Sequence, residues 1–404
     1  MLQKGIYNYK RIVQRWGEVM KVGIITSNAS FLDNYGAVLQ AYAMTAQLRN
    51  WNVEPQIINY QYNTGEQVVS AEYTVDRSVK ARLKYILSGN VSLWQKVLYR
   101  CARGKRNLQT ELFRQFVQDN IPIDLRKSVT YEELKKQNLR FEALICGSDQ
   151  VWNPLIHANR NDPGFFLQFG NEKCRRIAYA PSFGVSVLPE TAKSNLKEYT
   201  DSFDALSVRE QSGAVLMKEI CERDVPVMLD PTMMADRSIW DTFDRIPEGV
   251  PKQYMLVYRF GRMEYMEKQI QHAAAELKLP ILEIPVSIES YGKGSKILFG
   301  VGPEEFVTLI RNAEIVLTDS FHATVFSILN HTQFYTFLRQ GKNEKNNMNS
   351  RMENLLEMLN LQERLIYPDS EIVSLSKVKY ENADVLLEQR RNESQKFLKD
   401  ALGE

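Results

Sequence analysis

The chain has 404 residues, with 51 Lys and Arg against 49 Asp and Glu for a net charge of +2, and 44% of its residues are hydrophobic. Such a length makes two or three domains at roughly 100–200 residues each, and the charged and apolar fractions exclude wholesale disorder and fibrous repeats. The even charge argues against a nucleic-acid binder, no run approaches the ~20 apolar residues of a membrane-spanning helix, and four scattered cysteines without a CxxC pair suggest neither a zinc site nor a disulfide framework.

The opening residues, MLQKGIYNYKRIVQRWGEV, are basic and broken by polar residues, without the apolar core of a secretory signal. They read as an extension ahead of the first strand, and a cytoplasmic location is expected. Lys21–Thr26 is a short apolar run, Ser27–Gly36 a polar loop, and Ala37–Asn50 carries helical spacing at Leu39, Tyr42, Ala43 and Ala46. Further unalternating apolar runs at Val53–Tyr60, Ala143–Cys146, Arg176–Ala180, Ala205–Val208 and Val225–Leu229 predict strands buried on both faces of a parallel sheet. Between the first and second of these, residues 77–106 hold nine Lys and Arg and no acidic residue, interleaved with Leu83, Ile86, Leu87, Leu93, Trp94, Val97, Leu98 and Tyr99. This basic helical insertion suits an anionic membrane surface; the solvated face of ordinary helices has the same pattern.

Asp230–Pro251 is polar and Pro-bearing, and reads as a connector. Beyond it strands are expected at Tyr254–Phe260, Ile281–Pro285, Ile315–Thr318 and Gln333–Phe337. The alternating helices are Met263–Leu277, Pro303–Ala313, Phe321–Asn330 and Arg351–Leu359, and a charged helix runs from about Asn382 to Leu402. The expected fold is α/β: two Rossmann-like domains facing across a cleft, at 20–235 and 250–380, then a C-terminal helix at 381–404. In such sheets ligands bind outside the carboxyl ends of the strands.

The loops at those ends carry the chemistry. Thr318–Asn330 (TDSFHATVFSILN) runs from a strand through a capping Asp319 or Ser320 into a helix with His322 in its first turn. Unpaired N–H groups make such a helix start an anion site, and an imidazole there can exchange protons near neutrality. A His that only packs at a helix start fits the same pattern. Asn34-Tyr35-Gly36 closes a turn where backbone can approach a ligand, or is simply a turn. CGSDQVWNP sets Ser148, Asp149, Gln150, Trp152 and Asn153 in one loop, the mixture that grips sugar hydroxyls and a sugar's C–H face. The alternative there is an Asx turn with the Trp in the core. Arg209 ends a strand where its guanidinium can hold phosphate or carboxylate, and Arg259 and Arg351 compete for that role or for surface ion pairs. No Walker loop, GxGxxG, HExxH or GxSxG is present, and no acidic cluster announces a metal.

NYGAVLQAYA, GSDQVWNP, SVRE, the DPT of Asp230–Thr232 and TDSFHATVFS, in that order over about residues 21–330, resemble the polysaccharide pyruvyl transferase family. The resemblance implies a GT-B-like pair of Rossmann-like domains, with the acceptor on the N-terminal side and the donor on the C-terminal side. It implies transfer of a pyruvyl unit from phosphoenolpyruvate, a co-substrate and no added cofactor, to two hydroxyls of a sugar, giving a cyclic ketal and phosphate. Acceptors would be galactose-like diols of capsule or exopolysaccharide, often on a polyprenyl diphosphate, which places the enzyme at the inner face of the cytoplasmic membrane. By the same resemblance His322 is the general acid and Asp149 the base. Arg209, Ser320, Arg259 and Arg351 would bind donor, and Asn34, Tyr35, Gly36, Gln150 and Trp152 acceptor. Where related chains carry Arg-Leu-His, this one has Ser320-Phe321-His322, so Arg259, Arg262 or Arg351 must supply the missing charge. The competing readings are a nucleotide-sugar glycosyltransferase on the same scaffold and a non-catalytic carbohydrate-binding protein.

Overall fold

The computed structural model describes residues 19–28, 31–62, 93–157, 160–260, 263–286, 290, 295–341, 349–372 and 374–403. Two all-parallel sheets organise them. The first comprises β1 (Lys21–Ile25), β2 (Glu54–Ile57), β3 (Ala143–Cys146), β4 (Arg175–Ala178) and β5 (Ala205–Leu206), in the order β2-β1-β3-β4-β5. The second comprises β6 (Met255–Tyr258), β7 (Ile281–Ile284), β8 (Lys296–Ile297), β9 (Ile315–Thr318), β10 (Phe334–Phe337) and β11 (Leu365–Ile366), in the order β11-β10-β9-β6-β7-β8. Both are doubly wound, and their orders are the two common ones for Rossmann-like domains. Their central strands are buried end to end, as apolar runs without alternation require.

The strand order reverses at one place in each sheet, between β1 and β3 and between β6 and β9. Neighbouring loops part there, so the crevice outside the carboxyl ends opens at these two points. The helices that follow are α1 (Tyr35–Asn50), α2 (Leu93–Cys101), α3 (Arg103–Asn120), α4 (Gln211–Cys221), α5 (Pro231–Met234), α6 (Glu264–Leu277), α7 (Pro303–Arg311), α8 (Phe321–Leu329), α9 (Ser350–Met358) and α10 (Glu381–Leu402). Asn34 caps α1 by accepting from the Ala37 N–H at 3.2 Å. Because α1 is apolar on most of its faces, it is buried except along the stripe of Tyr42, Ala46, Arg49 and Asn50, wedged against α5, α7 and α8. One continuous apolar core therefore joins the two sheets.

Two expectations need correction. Val225–Leu229 forms no strand: Val208 pairs with Val227 in a single bridge, because Pro226 has no N–H to extend the ladder. Asp230–Pro251 is not a free connector, since its start folds into α5 with Asp230 as its cap. The C-terminal helix α10 returns to the first domain, where Ser394 accepts the Leu229 N–H at 3.0 Å and Arg391 donates to the Met233 carbonyl. Of the basic insertion, residues 77–92 lie outside the described residues. In its described part, the Arg106 guanidinium lies 3.5 Å from the Tyr99 ring centroid and Lys105 Nζ 5.0 Å from that of Phe299. Among the described residues no helix is long and apolar enough to cross a membrane.

Candidate active site

The loop from β9 into α8 is held rigidly at the second reversal point. Thr318 donates its hydroxyl to the Tyr258 carbonyl, and Asp319 takes the Phe260 N–H on one carboxylate oxygen and Arg339 Nε on the other, both at 2.8 Å. Ser320 caps α8 by accepting from Ala323. This fixes His322 in the first turn, with its side chain 11% exposed.

The imidazole is gripped between the domains. Its Nδ1 edge rests on Gly36 at the start of α1, so closely that a Cβ there would lie 2.0 Å from Nδ1; only glycine leaves room for the ring. Phe321 stands edge-on to it at 5.2 Å. The other edge faces a carboxylate: Nε2 is 3.6 Å from Asp230 Oδ2 and has no hydrogen-bond partner among the described residues. The ring is thus enclosed, but its open nitrogen points at charge rather than at apolar side chains.

Asp230 was not among the expected site residues, yet it joins the parts. Its Oδ2 accepts from Arg209 at 2.8 Å and lies 3.2 Å from Ser148 Oγ, while Oδ1 holds the Thr232 N–H and hydroxyl at 3.0 and 2.8 Å. Burial would raise its pKa, but the charges of His322 and Arg209 and these hydrogen bonds outweigh burial and hold the carboxyl well below the usual range. The Asp-Pro-Thr pattern signals a helix start but not what its carboxylate faces.

Arg209 is 2% exposed at its side chain, with Asp149 and Glu210 oxygens 3.7 and 3.8 Å from it in addition to Asp230. Glu210 is occupied in turn, accepting from Ser182, Phe183 and Gly184. Arg209 Nε and Nη2 find no hydrogen-bond partner among the described residues. Arg209 lines a crevice together with Asp230, Phe321, Arg351 and Asn354. His322, Asp149, Arg209, Ser320, Gly36 and Arg351 are therefore brought together from both domains.

Other expected residues have structural tasks. Trp152 is 1% exposed, stacked on Phe166 at 4.7 Å with its N–H on the Phe165 carbonyl, so its face is not open to a sugar. Gln150 accepts from Asn153 in the same loop. Tyr35 clamps the domains, stacked on Phe306 at 4.2 Å and donating its hydroxyl to the Val301 carbonyl, and Asn34 is a helix cap. Arg259 is held by Glu283 and Glu267, which takes its guanidinium out of reach of a donor anion. Arg262 lies outside the described residues. Among those described, no group of three His, Cys, Asp or Glu is placed to hold a metal.

No curated protein is significantly similar to the chain. Among solved structures, the E. coli heptosyltransferase WaaC with ADP-2-deoxy-2-fluoro heptose is similar at 10% identity and TM-score 0.36, covering 92% of this chain and 99% of that one. The UDP-GlcNAc 2-epimerase from Methanocaldococcus jannaschii is similar at 13% identity and TM-score 0.42, covering 92% and 93%. That from Neisseria meningitidis bound to UDP-GlcNAc shows 11% identity and TM-score 0.42, covering 95% and 94%. The family model described as polysaccharide pyruvyl transferase matches residues 34–340, a span that begins at the cap of α1 and contains His322, Arg209 and Asp230. This chain belongs to the polysaccharide pyruvyl transferase family.

Proposed function

We propose that the protein transfers the pyruvyl unit of phosphoenolpyruvate to two hydroxyls of a lipid-linked sugar, making a cyclic ketal and phosphate during surface polysaccharide synthesis. The observation that carries this reading is the open Nε2 of His322 beside the Asp230–Arg209 pair, at the point where both sheets reverse. Phosphoenolpyruvate needs a proton on its terminal CH₂, and in this reading His322 supplies it as the general acid. Protonation turns that carbon into a methyl group and leaves C2 oxocarbenium-like. The first sugar hydroxyl adds to C2 and gives its proton to Asp149, which passes it to the departing phosphate. The second hydroxyl then displaces phosphate and closes the ring, and its proton restores the imidazole.

The donor's charge needs cations, and Asp230 already occupies one edge of Arg209. Its two open nitrogens can take phosphate or carboxylate bidentately, helped by Arg351 in the same crevice and by the N-terminus of α8. These groups stand in for the Arg of the Arg-Leu-His pattern. The basic stretch at 77–106 would hold the enzyme against an anionic membrane surface, where a polyprenyl-linked acceptor resides.

Thermal denaturation with ligands tests the reading. Phosphoenolpyruvate at about a hundred times its Kd should stabilise the fold by about 2.7 kcal/mol, and nucleoside diphosphates should not. Protection by UDP or ADP alone would favour a nucleotide-sugar glycosyltransferase instead.

A further inference from the structure

The loop after β1 and the second turn of α1 hold two buried oxygens, Asn28 Oδ1 and Gln40 Oε1, that nothing among the described residues engages. Gln40 is 0% exposed and Asn28 7%. Neither amide can be turned round to satisfy itself. Asn59 Nδ2 donates to the Asp124 carbonyl at 2.9 Å, so Asn59 Oδ1 must accept from Asn28 Nδ2, at 2.8 Å, and Asn28 Oδ1 is left open. Gln40 Nε2 donates to the Ala37 carbonyl at 3.0 Å and to Thr26 Oγ1 at 2.9 Å, while the Thr26 proton goes to the Ser148 carbonyl at 3.1 Å. Gln40 Oε1 is therefore an acceptor as well. Leaving one such acceptor buried without a donor costs about 1–3 kcal/mol, and here two lie close together, the Asn28 N–H on the Thr26 carbonyl and Gln40 Nε2 on the Thr26 hydroxyl.

Their position is that of the first sheet's reversal. Thr26 follows β1, Ser148 follows β3 and reaches Asp230, and Gln40 lies one turn along α1 from the Gly36 that supports His322. Carbonyl oxygens repel phosphate and carboxylate, whereas a hydroxyl donates to them. The anion thus belongs with Arg209, and a neutral, donor-rich molecule belongs here. We infer that Asn28 and Gln40 bind non-reacting hydroxyls of the acceptor sugar and select a polyol on the N-terminal side of His322. This rests on the pyruvyl-transfer reading and adds to it the residues that recognise the acceptor.

Saturation-transfer NMR on the full chain tests it, with methyl hexopyranosides bearing a free 4,6-diol and their 2-deoxy and 3-deoxy forms as probes. Wild type should lose about tenfold in affinity when one of these hydroxyls is removed, a result that needs no variant. Asn28→Ala or Gln40→Met should weaken the parent glycoside about as much and should no longer distinguish it from the matching deoxy form. Stabilisation by phosphoenolpyruvate should persist and shows that each variant is folded. Wild-type affinities in both variants, with phosphoenolpyruvate still bound, would overturn this inference and leave pyruvyl transfer standing. Wild type binding neither the glycosides nor phosphoenolpyruvate would overturn both.

Discussion

His322→Gln is expected to lower turnover by about 10²–10⁴-fold, the range a positioned general acid contributes. Glutamine keeps a flat polar edge against Gly36, where a branched or bulkier side chain would press on the helix start. In the proposed reaction Arg209, Arg351 and α8 hold the anion, so stabilisation by phosphoenolpyruvate should be largely retained while phosphate release fails. Steady-state kinetics alongside thermal denaturation separates the two effects. Near-normal turnover would remove the imidazole from the reaction.

The second large effect is on stability. Asp230→Asn removes the carboxylate that meets Arg209 at 2.8 Å in a pocket where the guanidinium is 2% exposed. Breaking a buried pair by removing one charge costs about 3–5 kcal/mol, and Asp149 and Glu210, still within 4 Å of Arg209, should hold the loss near 3 kcal/mol. The sign with pH follows from the lowered pKa of Asp230. A carboxyl that stays ionised in the fold to lower pH than in the unfolded chain stabilises fully above about pH 4, and that contribution is lost as pH falls further. Urea unfolding across pH should therefore show wild type and variant far apart at pH 7 and converging in acid. Parallel curves would mean that Asp230 is not held ionised by its neighbours.

Much of this arrangement was legible in the chain because it is local. The short apolar runs mark β1, β3, β6 and β9, and Ser320 and Asn34 sit before helical spacing, so the loops that reach the site could be placed. Helix α3 escaped notice because it is mostly polar and buries only Phe113, Phe116 and Val117, although their spacing is that of one helical stripe. Trp152 shows the limit of composition: an indole among Ser, Asp, Gln and Asn suits a sugar site or a core equally, and the neighbours that decide, Phe166 and Phe183, are brought in by the fold. Arg259 was likewise claimed by Glu283, 24 residues on, in the adjacent strand. Asp230 meets His322 only through the juxtaposition of two domains, and the open oxygens of Asn28 and Gln40 show only once Asn59, Asp124 and Thr26 are brought beside them. Pattern in one dimension cannot report such partners; the accounting of each buried polar atom can.

The claim on which all this stands is that the imidazole of residue 322 protonates the donor's CH₂ carbon. Turnover in D₂O, followed by mass spectrometry and proton NMR of the ketal methyl group, reads that step directly. A single deuterium is expected in that methyl group, formed at a rate that collapses in His322→Gln. An unlabelled methyl, or labelling at an unchanged rate in the variant, would contradict it.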